Sequence, residues 1–87
     1  MIGKRIYPDS DDLYLKPGEY GKHPVNGRWM ANTPNGHMGD LSNHDVVENP
    51  DGTITVSPSI LVEGYDYELG YKTVWHGYLE NGVWREV

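Results

Sequence analysis

Asp45-Val46-Val47-Glu48-Asn49-Pro50-Asp51-Gly52-Thr53-Ile54-Thr55-Val56-Ser57-Pro58-Ser59 reads as a β-hairpin followed by a proline stop. Pro50 presets φ near about −65° at the first turn position, Asp51 suits the second, and Gly52 takes positive φ without steric cost. The flanks Val46-Val47 and Thr53-Ile54-Thr55-Val56 are β-branched and favour strands. A type I turn closed by a glycine bulge then sets the register. Glu48 faces Ile54, Val47 faces Thr55, Val46 faces Val56 and Asp45 faces Ser57. The hairpin therefore delivers a carboxylate opposite a serine, where Pro58 ends the ladder.

The chain has 87 residues, enough for one small domain with a modest core. It contains no Cys, so neither disulfides nor a thiolate metal site supplement that core. Phe is also absent, and three Trp and seven Tyr carry the aromatic load, which favours a core whose polar tips reach the surface. A net charge of −6 argues against a nucleic-acid ligand, which needs clustered Lys and Arg. No apolar run reaches the roughly 18 residues of a membrane span, and no signal-peptide core follows Met1. The expectation is a cytoplasmic protein without a membrane partner.

With 11 Gly and six Pro, no window sustains a helical period, and the chain reads as short strands between turns. The fold class expected is all-β: a small antiparallel sheet or partly open barrel built from two hairpins over residues 28–87. Residues 1–27 read as an irregular arm packed on that body through its tyrosines, with Ile2 to Tyr7 as a first strand and Leu13-Tyr14-Leu15 as a fragment. Arg28 to Asn32 forms a strand stopped by Pro34-Asn35-Gly36, and residues 36–44 read as a polar loop or short helical turn. Ser59-Ile60-Leu61-Val62 is nearly all apolar and reads as a strand buried on both faces. Glu63-Gly64-Tyr65-Asp66-Tyr67-Glu68 reads as an acidic, tyrosine-rich loop. The second hairpin, Lys72 to Leu79 and Val83 to Val87, turns at Asn81-Gly82. A two-residue loop there pairs Leu79 with Trp84 and Tyr78 with Arg85 and puts His76 near Val87. Trp75, Leu79 and Trp84 then share the core face, opposite Val74, His76 and Tyr78.

Two motifs in residues 28–87 resemble a family of small, often phage- or prophage-encoded domains of uncharacterised function. The first is Gly52-Thr53-Ile54-Thr55-Val56-Ser57-Pro58-Ser59-Ile60; the second is His76-Gly77-Tyr78-Leu79-Glu80-Asn81-Gly82. Relatives of that family sit beside bacterial ubiquitin-like conjugation genes and look like serine peptidases. Many members carry cysteines that look like a zinc site, one of them just before the His. This chain has Trp75 there and no Cys, so the zinc role does not transfer. The Ser and His positions do, and the resemblance implies a Ser/His role for them, in the host cytoplasm if the chain is phage-encoded.

A nucleophilic serine needs a base within hydrogen-bond reach, best oriented by a carboxylate. The candidates are Ser59 or Ser57 as nucleophile, His76 as base and Asp45 as orienter. Ser59 is favoured because it lies beyond the ladder. Reach requires the two hairpins to lie side by side, and the spacing is not that of a nucleophile elbow. The same Ser57-Pro58-Ser59 residues also suit a simple strand-ending turn. His44 is an alternative base if its loop folds back on Ser59. His37, His44 and His76 with Asp40 or Asp45 match no standard metal spacing, so no metal or other cofactor is assigned. Tyr65, Tyr67 and Tyr71, with Asp66 and Glu68, form a strip suited to a basic partner protein.

Two readings stay open. One is a Ser/His-dependent hydrolase of peptidase type, acting on a protein substrate. The other is a non-catalytic phage accessory protein that binds a host protein, with inhibition of that host protein left open as a consequence.

Overall fold

The computed structural model describes residues 1–68 and 70–87, and of Asp66 the backbone only. Among the described residues there is no helix, and none is therefore long and apolar enough to cross a membrane. Nine strands form among the described residues: β1 (Lys4–Arg5), β2 (Glu19–Lys22), β3 (Trp29–Asn32), β4 (Met38–Asp40), β5 (Asp45–Glu48), β6 (Ile54–Ser57), β7 (Ile60–Asp66), β8 (Gly70–Glu80) and β9 (Val83–Glu86). They make three open sheets ordered β1-β2-β3-β4, β5-β6 and β7-β8-β9, all antiparallel except for the parallel β1–β2 pair. The all-β class holds, in open sheets rather than a barrel.

The β5–β6 hairpin has the register read from its turn: Asp45 opposite Ser57, Val46 opposite Val56, Val47 opposite Thr55 and Glu48 opposite Ile54. Gly52 has φ +88° and donates its N–H to the Asn49 carbonyl at 2.9 Å, closing the turn. The β8–β9 hairpin pairs Leu79 with Trp84 and Tyr78 with Arg85. Positive φ at both Asn81 and Gly82 marks the turn type whose twist suits a two-residue loop. Trp75, Leu79 and Trp84 are buried, with the two indoles edge to face at 5.3 Å between centroids.

Five expectations need correction. Residues 1–27 are not wholly irregular: β1 and β2 lie there, Leu13-Tyr14-Leu15 is not a strand, and the first strand is only two residues long. Of the tyrosines expected to pack this segment down, Tyr20 is fully buried while Tyr7 and Tyr14 are exposed. Residues 36–44 contain β4, which pairs with β3, and Leu41 just after it enters the core. β7 is not buried on both faces, since Leu61 is 49% exposed. The acidic tyrosine segment is not a loop; β7 runs on to Asp66 and β8 begins at Gly70.

The core joins all three sheets. Tyr20 and Ala31 come from the first, with Leu41 just past its last strand; Ile54 and Val56 come from the second, and Ile60, Trp75, Leu79 and Trp84 from the third. Trp29 and Val62 pack against its margin. The radius of gyration is 12.9 Å, slightly above the roughly 12 Å of a compact chain this long. The longest dimension is 42 Å against 27 and 21 Å for the others, so the molecule is elongated.

Candidate functional site

Directly paired residues share a face of the sheet. Ile60 pairs with Gly77 and Val62 with Trp75, so this set faces the core. Leu61 pairs with His76, which places both on the outer face. Ser59, one residue before β7, alternates to that same face. Its Oγ lies 2.9 Å from His76 Nε2. With the ring proton on Nδ1, the hydroxyl donates to Nε2, the arrangement a general base requires. The imidazole is half-buried and in contact with solvent at the sheet surface.

The other candidates separate. Ser57 stays opposite Asp45 at the end of β5–β6 and is exposed, and it makes no hydrogen bond to His76. Asp45 is likewise exposed, and its carboxylate does not bond His76; the hairpin register carries it to Ser57, not across to β8. Among the described residues no carboxylate takes the orienting place, and no enclosed pocket adjoins the pair. The site is a Ser–His dyad on an open surface.

His44 does fold back on Ser59, but onto its backbone. Its Nε2 lies 3.2 Å from the Ser59 carbonyl oxygen. A carbonyl only accepts, so Nε2 carries the ring proton and Nδ1 is left as an acceptor. Nδ1 is buried without a partner. His44 thus holds the backbone of the serine rather than its hydroxyl. The peptide between Ser57 and Pro58 is cis, which carries the chain from β6 to this serine.

His37 bonds the Asn35 side chain within the β3–β4 turn. Among the described residues no group of three or more His, Asp or Glu gathers to hold a metal ion. Tyr65 pairs across the hairpin with Tyr71 and meets Tyr71 and Tyr67 edge to face, at 5.4 and 5.7 Å between centroids. All three are exposed, Tyr67 at 95%. The Asp66 side chain expected in this strip lies outside the described residues.

The sequence reading overlooked Arg5. Its guanidinium stacks on Tyr7 and Trp29, 4.5 and 4.9 Å from the ring centroids, and donates to Glu48 Oε2 at 2.6 Å and to the Gly52 carbonyl at 3.0 Å. That hydrogen bond first, and the charge behind it second, holds the Glu48 carboxyl below its usual pKa. A lone Arg in a polar N-terminal segment gives no pattern from which this could be read.

No family model, no curated protein and no solved structure matches the chain.

Proposed function

We propose that the chain is a Ser/His-dependent hydrolase of peptidase type, with Ser59 as nucleophile and His76 as general base. The observation that supports this is the 2.9 Å contact between Ser59 Oγ and His76 Nε2. These two residues lie 17 positions apart, and both stand among the candidates, Ser59 or Ser57 with His76, that residue chemistry and the family resemblance put forward. His76 Nε2 takes the hydroxyl proton as the oxygen attacks a carbonyl carbon, then returns it to the leaving group. With no orienting carboxylate among the described residues, the turnover is slow; loss of that function in a full triad costs about 10⁴-fold in kcat.

A fluorophosphonate probe tests the reading. Wild type and Ser57→Ala are expected to label covalently, while Ser59→Ala and His76→Ala lose labelling by at least about 100-fold. Equal labelling of wild type and Ser59→Ala sinks the proposal.

A second reading, a phage accessory protein that binds a host protein, is favoured by the cluster of Tyr65, Tyr67 and Tyr71. Tyrosine is enriched in interface cores, and three exposed rings gathered around Tyr65, which meets both of the others, are an unusual expense for a small domain. On this reading Tyr65→Ala with Tyr67→Ala abolishes co-purification of a host protein and His76→Ala does not. The opposite pattern counts for the hydrolase.

A further inference from the structure

β7 is a terminal strand of its sheet. The hydrogen bond from Val87 N–H to the His76 carbonyl points the His76 backbone toward β9. In an antiparallel ladder successive residues point alternately to the two neighbours. Trp75 and Gly77 therefore face β7, and their partners Val62 and Ile60 face back. Leu61 and Ser59, between and before these, direct their backbone groups to the open side. At Ser59 that side is occupied: His44 Nε2 donates to the carbonyl. From Leu61 onward no strand of the described residues covers it.

An uncovered strand edge is a template for another chain. β4 is also terminal, but it has three residues, and such brevity is itself protective. β7 has seven, contains neither Pro nor Lys, and pairs with β8 through a bulge between Val62 and Glu63. Its charge points to the occupant. Residues 61–72 carry Glu63, Asp66 and Glu68 against Lys72 alone, in a chain of net charge −6. A second copy would set this acidic edge against itself, and like charges across strands are unfavourable.

We propose that the β7 edge from Leu61 to Asp66 receives an extended segment of another polypeptide carrying Lys or Arg, as an added strand. The inference rests on the hydrolase reading, for which it names the substrate class. Added strands lie about 4.8 Å away and advance about 3.3 Å per residue. A segment paired at Leu61 thus arrives within two residues of Ser59. There His44 closes the edge, and the segment must leave the plane of the sheet near the hydroxyl.

The test measures fluorescence anisotropy with labelled peptides of about eight residues, enough to span the edge. One alternates lysine and valine, one alternates glutamate and valine, and one is the lysine peptide with alternate backbone nitrogens methylated. Wild type is expected to bind the lysine peptide, and the other two at least about tenfold more weakly, as expected for lost strand hydrogen bonds or reversed charge. Leu61→Pro, which removes an outward N–H at an edge where Pro is tolerated, is expected to weaken the lysine peptide similarly. Ser57→Ala, exposed and apart from the dyad, is expected to bind it unchanged. Equal binding of the methylated peptide, or no binding of the lysine peptide, overturns the proposal. Binding as expected without any Ser59-dependent labelling supports the docking edge and sinks the hydrolase instead. Labelling that depends on Ser59, with methylated and unmethylated peptides bound alike, does the reverse.

Discussion

At residue scale, a hydroxyl and an imidazole meet because two local rules act together. Pro58 ends the β6 ladder so that Ser59 stands just before the new strand β7, and period-2 alternation puts Ser59 and His76 on one face of β7–β8. Asp45 follows its own register to Ser57 instead. Asp45→Asn is therefore expected to change fluorophosphonate labelling less than about twofold, whereas an orienting carboxylate would cost far more. A loss of 100-fold or so would show that Asp45 reaches His76 in solution. Arg5 and Glu48 allow a second expectation. Glu48 is held below its usual pKa by Arg5, and Asp51 by its hydrogen bonds from Thr53. A depressed carboxyl stabilises the fold above its unfolded pKa, and that contribution disappears as pH falls through the folded value. The urea midpoint is expected to drop as pH falls below about 4, and to drop less in Glu48→Gln. Both carboxyls are exposed, so added salt should shrink the difference.

At element scale, what could be read from sequence was turn chemistry. Pro-Asx-Gly and Asn-Gly each dictate a backbone path, and the β5–β6 and β8–β9 registers follow residue for residue. Pro34-Asn35-Gly36 repeats the first pattern and makes the β3–β4 hairpin, with Gly36 N–H bonded to the Thr33 carbonyl at 2.8 Å; the polar, glycine-bearing β4 hid its second arm. β2 was illegible because Glu19-Tyr20-Gly21-Lys22 has weak strand propensity and is held by its neighbour β3. The start of β8 at Gly70 was missed because the neighbouring acidic, tyrosine-rich segment read as a loop rather than as the end of β7. Gly77 tests how firmly this element holds its histidine. A Cβ there would meet the Trp75 ring and lie 2.5 Å from the Arg85 carbonyl oxygen. Gly77→Ala is expected to cost about 1–3 kcal/mol by overpacking and to reduce labelling of Ser59 by displacing the neighbouring His76. A variant with wild-type stability would contradict the close packing of β8 on β9.

At the scale of the whole molecule, the boundary suggested by composition at residue 27 meets a core that crosses it. Tyr20 is 1% exposed within the same cluster as Leu79 and Trp84. The buried Trp84 Nε1 donates to the Gly18 carbonyl at 2.9 Å, and Trp84 N–H to the Met1 carbonyl at 2.8 Å. Arg5 ties the first strand to the β5–β6 turn through Glu48 and Gly52. Removing residues 1–27 would forfeit about 3 kcal/mol or more for the aromatic side chain and about 1–3 kcal/mol for an orphaned indole donor. Domains this small hold roughly 0.05–0.15 kcal/mol per residue, so those two losses alone rival the total. The fragment 28–87 is expected to lack a cooperative urea transition and near-ultraviolet circular dichroism at 25 °C, while the full chain shows both. Adding a peptide of residues 1–27 should restore part of the signal, because it returns Tyr20 to its site and the Gly18 carbonyl to Trp84. A fragment that unfolds with the midpoint of the full chain would make the N-terminal segment an appendage, and the Trp84 anchor dispensable.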